Sequence, residues 1–66
     1  MDDIKKAKLK ELLNKLKSGK RVDVKVGDTL IFHEEGDPRY TTFGVQLMVI
    51  IQNLLDGEDA PWIEIL

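Results

Sequence analysis

Six residues, Arg21-Val22-Asp23-Val24-Lys25-Val26, alternate charged and apolar side chains without a break, and Gly27-Asp28 follows at once. Strict alternation is the period of a strand with one wet and one dry face. A glycine in the first of two linking positions is what a type II′ hairpin turn requires. Thr29 to Glu34 is then the returning strand, and a two-residue turn leaves no freedom of register. Val26 must oppose Thr29, Val24 must oppose Ile31, and Val22 must oppose His33.

The flanking segments have the helical period. Ile4, Leu9, Leu12, Leu13 and Leu16 fall near one face of a helix over 3–17, with lysines around the rest. Asp2 or Asp3 caps its start, Lys15 and Lys17 suit its C-terminal end, and Ser18-Gly19 stops it. A second helix is expected from Phe43 to Leu55, capped by Thr41 or Thr42 and closed by Asp56-Gly57. Its β-branched residues and Gly44 oppose that assignment, but length and caps favour it. Phe43, Leu47, Met48, Ile50, Ile51, Leu54 and Leu55 cover a wide apolar arc. Val45 and Val49 lie on the other side among Gln46, Gln52 and Asn53. Glu35-Gly36-Asp37-Pro38 and Glu58-Asp59-Ala60-Pro61 read as loops, and Trp62 to Leu66 as a final strand. The order α-β-β-α-β implies an α+β fold, with two helices on a three-stranded mixed or antiparallel sheet. The last strand fits beside the second, or beside the first in a split arrangement. The split form pairs it antiparallel and is preferred.

A chain of 66 residues holds one domain, residues 1–66, and buries only about 60% of its unfolded surface. With no cysteine, neither a disulfide nor a thiolate metal site can add stability. No signal-peptide core or membrane-length apolar run is present, which leaves the cytoplasm as the default location. Charge is uneven. Residues 1–21 carry eight basic and three acidic side chains, the remainder two basic and nine acidic. A solvated helix face beside an acidic remainder accounts for this split.

Chemistry is hard to assemble from these residues. His33, the single histidine, stands near Glu34, Glu35 and Asp37. A strand would separate Glu34 from His33 and Glu35, so the group reads as a solvated strand end rather than a ligand set. Ser18 is the only serine and is explained by the helix end. The glycines form no phosphate-cradling loop. The lysine-rich helix has no aromatic residue for bases to stack on. The expectation is a non-enzymatic protein with no cofactor, metal, nucleic acid, membrane or small-molecule ligand.

The register creates one feature that asks for an explanation. Ile31 joins the valine face, so Leu30 and Phe32 must share the other face with Arg21, Asp23 and Lys25. Alternation in the last strand places Trp62 and Leu66 on that second face too. Three accounts are open. A bulged turn would return Leu30 and Phe32 to the core. A helix on each face of the sheet would cover them. Otherwise Leu30, Phe32, Trp62 and Leu66 form an uncovered apolar patch of the kind a protein interface uses, with Phe32 and Trp62 as anchors.

The lysine-rich leucine helix, Ser18-Gly19, the Val22/Val24/Val26 alternation and the Gly27-Asp28 turn together resemble an idealised, computationally designed α/β miniprotein. In such proteins every local choice agrees with one fold. The second helix departs from that style, because its exposed face lacks the usual Glu and Lys. The expected function is a protein-binding module, using the outer sheet face or the Val45/Val49 side of the second helix. The alternatives are a design made to test a fold, a homodimer closed by the patch, or a small regulatory or nucleic-acid-binding protein using the lysine helix.

Overall fold

The computed structural model describes residues 2–66. Helix α1 spans Asp3–Lys17, β1 Val22–Val26, β2 Thr29–His33 and α2 Thr42–Leu55, and β3 spans Ile63–Ile65. A 3-10 turn at Pro38–Tyr40, beginning at the last residue of the expected Glu35–Pro38 loop, precedes α2. The sheet order is β2-β1-β3, with both neighbours antiparallel to the central β1. This is the split α+β arrangement.

Local signals act as their chemistry dictates. The Asp2 side chain accepts the Lys5 N–H at 2.8 Å and caps α1. The helix ends in a Schellman motif. Gly19 has φ +79°, its N–H donates to the Leu16 carbonyl, and the Lys20 N–H donates to that of Lys15. Asp56-Gly57 closes α2 in the same way, through Gly57 to Leu54 and Glu58 to Asn53. Gly27 has φ +58°, and Asp28 has none of the positive φ a type I′ turn would need, which leaves the type II′ form. Val26 therefore pairs with Thr29, Val24 with Ile31 and Val22 with His33, as the turn requires.

The core lies between one face of the sheet and both helices. Leu9, Leu12, Leu13 and Leu16 of α1 meet Leu47, Ile51 and Leu54 of α2 over Val22, Val24 and Ile63. Because both helices share this face, neither of them covers the other face. The bulged turn and the helix-on-each-face arrangement are both excluded. Ile4, expected on the apolar face of α1, is 70% exposed. Burial on α1 begins only at Leu9, so the first turn overhangs the core.

Gly44 explains its own presence in α2. Its backbone sits against the 3-10 turn, where a Cβ would fall 2.6 Å from Thr41 Oγ1, 2.7 Å from Pro38 Cα and closer still to the Pro38 carbonyl oxygen. Glycine here trades helix propensity for close approach of two backbones.

Candidate functional surfaces

The six apolar residues singled out from the sequence divide among three places. Leu30 and Phe32 project from β2 onto the outer sheet face and are 69% and 51% exposed. The Arg21 guanidinium lies 5.4 Å from the centre of the Phe32 ring, and Arg21 also pairs with Asp23 at 3.4 Å. Inward of this stripe come Asp23 and Lys25, the β1 partners of Phe32 and Leu30. The outer face is thus an apolar stripe on one edge strand, bordered by charge at the centre of the sheet.

Val45 and Val49 are also exposed, but they stand on the opposite side of β2. They line an open apolar groove of about 490 Å³ between α2 and the strand, with Val26, Thr29, Ile31 and Ile50. Neither α2 nor β2 carries a carboxylate or a lysine. This flank is free of formal charge.

Trp62 and Leu66 belong to the far edge. The Trp62 ring lies 5.1 Å from Lys5 Nζ of α1 and lines a cleft with Lys8, Leu9, Ile63 and Ile65. Since α1 packs on the inner face, a ring beside Lys5 does not join Phe32 on the outer one. It precedes β3, so the alternation of the strand does not bind it. Leu66 donates its N–H to the Asp23 carbonyl at 3.2 Å, with Asp23 standing between it and Phe32.

His33 is the main correction at the level of single residues. It is buried, at 3% exposure, not solvated. A carbonyl only accepts, so the ring nitrogen facing Gly36 carries the proton: Nε2–H donates to Gly36 O at 3.2 Å. Nδ1 shares a hydrogen bond of 3.2 Å with the Thr41 hydroxyl, whose oxygen accepts the Gly44 N–H at 3.0 Å. Both ring nitrogens of His33 and the Thr41 hydroxyl have partners, and the series ties the end of β2 to the cap of α2. The signal was present in the register, which sets His33 opposite buried Val22. The same loop is clasped to the end of α1 by the Gly36 N–H, which donates to Gly19 O at 2.7 Å.

Nearby, Asp37 accepts from both the side chain and the N–H of Arg39. These bonds lower its pKa to about 2 and raise that of Arg39. Both are surface groups that line a shallow cleft of about 290 Å³ with Lys17, Pro38 and Met48. Tyr40, for which no pattern in the sequence predicts a role, is 84% exposed on the 3-10 turn. Among the described residues no three His, Cys, Asp or Glu side chains gather as a metal would need. No helix there is long and apolar enough to cross a membrane. Comparison with protein families, curated proteins and solved structures finds no match to this chain.

Proposed function

We propose that this chain is a protein-binding module that presents the Leu30/Phe32 stripe, with the Val45/Val49 groove as a second apolar surface beside it. The observation that carries the reading is the position of Leu30 and Phe32: both are large, apolar and on a sheet face that neither helix covers. Exposed apolar groups rimmed by charge are the composition of interface centres, and an aromatic flanked by arginine is a frequent anchor. The agreement of cap, turn and strand chemistry supports a designed origin, with α2 left uncharged for a purpose other than solubility.

The test compares the parent chain with Phe32→Thr in capture from a lysate, alongside sedimentation across concentration. A specific partner, or self-association, should be lost with Phe32 while folding is retained. Because the stripe is apolar, raising salt from about 50 to about 200 mM should change capture only modestly. Capture that ignores Phe32, or that weakens ten-fold or more over that salt range, rejects this surface. The latter outcome would point to contacts made through the lysine helix, to phosphate or to other acidic groups.

A further inference from the structure

We infer that the free edge of β3 is a docking site for an extended acidic peptide, which would add to the sheet as a fourth strand beneath the lysine face of α1. This surface is separate from the Phe32 stripe, and the inference does not depend on the reading above.

Three observations meet there. The first is an open ladder. Leu66 donates to the carbonyl of Asp23, the residue directly opposite it in the β1–β3 register. Bonded pairs alternate along an antiparallel ladder, so Glu64 and Lys25 form the next one inward. Ile63 and Ile65 therefore turn their N–H and C=O groups away from β1, toward the unpaired edge. An incoming strand would find two donors and two acceptors in line, the arrangement on which strand addition relies.

The second is an apolar floor. Two adjoining clefts of about 240 and 360 Å³ run between α1 and β3, floored by Leu9, Leu12, Ile63 and Ile65. Ile65 belongs to the inner face by register, opposite fully buried Val24, yet it is 45% exposed. It is covered on one flank only.

The third is charge. Lys5, Lys8 and Lys15 line these clefts, and the ion pairs among the described residues, Arg21–Asp23 and Arg39–Asp37, use none of them. The acids of the same lining are Glu11, Glu64 and Asp23, the last paired with Arg21, so the unpaired lysines outnumber the unpaired acids by three to two. At about 1.5 Å per helical residue, Lys5 and Lys15 stand roughly 15 Å apart. In a strand, positions four residues apart are separated by about 14 Å and face the same way, with one further side chain between them. An occupant with carboxylates at those two positions and an apolar residue between them would meet both ends of the lysine row and the floor. The β2 edge offers no such match, because its flank is uncharged and Asp28, Glu34 and Glu35 stand at its ends.

The probe is a fluorescein-labelled peptide of about seven residues in which threonines alternate with a Glu, Ile, Glu face, measured by anisotropy against its counterpart with lysine for glutamate. The acidic peptide should bind at least ten-fold more tightly than the basic one, and more weakly as salt rises. Combined Lys5→Glu, Lys8→Glu and Lys15→Glu should cost about ten-fold, since each exposed pair contributes a fraction of a kcal/mol. All three are surface positions, and circular dichroism confirms the fold. In NMR spectra of the parent chain, the amides of Ile63 and Ile65 should shift. Equal binding of the two peptides, shifts at Leu30 and Phe32 instead, or a dimer that excludes the peptide would overturn the inference. So would duplex DNA binding more tightly than the acidic peptide. Salt sensitivity separates this edge from the Phe32 surface, so either can fail alone.

Discussion

Both faces of the sheet carry large apolar side chains, and those side chains meet opposite fates. On the inner face Val22, Val24 and Ile63 are almost wholly buried, whereas Leu30 and Phe32 on the outer face keep half or more of their surface. Hydrophobicity does not separate these groups, since Leu and Phe are at least as apolar as Val. Parity does. The Gly27-Asp28 turn sets which residues of β2 face the helices, and leucine and phenylalanine fall on the wrong count for burial. Two helices suffice to cover one face of a sheet this narrow.

If that contrast is right, the steepest loss of stability lies at the centre of the covered side. Ile51 is fully buried between α1 and the sheet. Ile51→Ala should cost about 2–5 kcal/mol, which a domain this small has little margin to absorb, and a urea melt would show it. Survival with an unchanged midpoint would mean the inner face is not the core.

Next comes the helix that does the covering. Alanine normally favours a helix over glycine by about 1 kcal/mol. Gly44→Ala should nonetheless destabilise by about 1–3 kcal/mol, because the added methyl meets the Pro38 backbone. A rise in thermal midpoint would show that the 3-10 turn yields, and that α2 is seated less firmly than its contacts imply.

On the open face the change should be mild. Phe32→Thr keeps a good strand former and removes little packing, so stability should move by less than about 1 kcal/mol. A melt showing a loss of about 3 kcal/mol or more would mean the ring is buried after all, and would erase the difference between the faces.

The smallest effect is electrostatic. Asp37 holds its charge to about pH 2, against an ordinary value of 3.8, through its bonds to Arg39. A carboxyl whose pKa is depressed by folding lends stability above the unfolded value and loses it as pH falls through the folded one. The contribution is therefore intact above about pH 4 and gone below about pH 2. Titration of the Asp37 carboxyl by NMR would check the midpoint, which Arg39→Gln should return toward 3.8.

Much of this fold could be read from residues that act through local chemistry. Asp2, Gly19, Thr41 and Gly57 announce helix ends, and the Gly27 turn carries the whole β1–β2 register. What escaped depends on distant neighbours. His33 looked solvated because acids surround it in sequence, although its partners Gly36 and Thr41 are brought to it by the loop. The 3-10 turn at Pro38–Tyr40 lies in a stretch too short to show periodicity. Trp62 seemed bound to the outer face by alternation, but it stands outside the strand and is drawn to Lys5 of α1. The division of the apolar residues among three surfaces is likewise a property of sheet order, which no local pattern encodes.

Placing β3 beside β1, and not beside β2, also has a kinetic consequence. The hairpin closes over two linking residues, whereas Val24 must wait for Ile65, about forty residues later, and entropy sets the cost of that closure. We expect the β1–β3 seam to be among the last contacts made during folding. In stopped-flow experiments Ile63→Val should accelerate unfolding and leave refolding nearly unchanged, while weakening the Gly27-Asp28 turn should slow refolding. Until the chain's last strand arrives, the side of β1 facing it has no partner, and a nascent molecule at high concentration is exposed there to exchange of that strand with a neighbour.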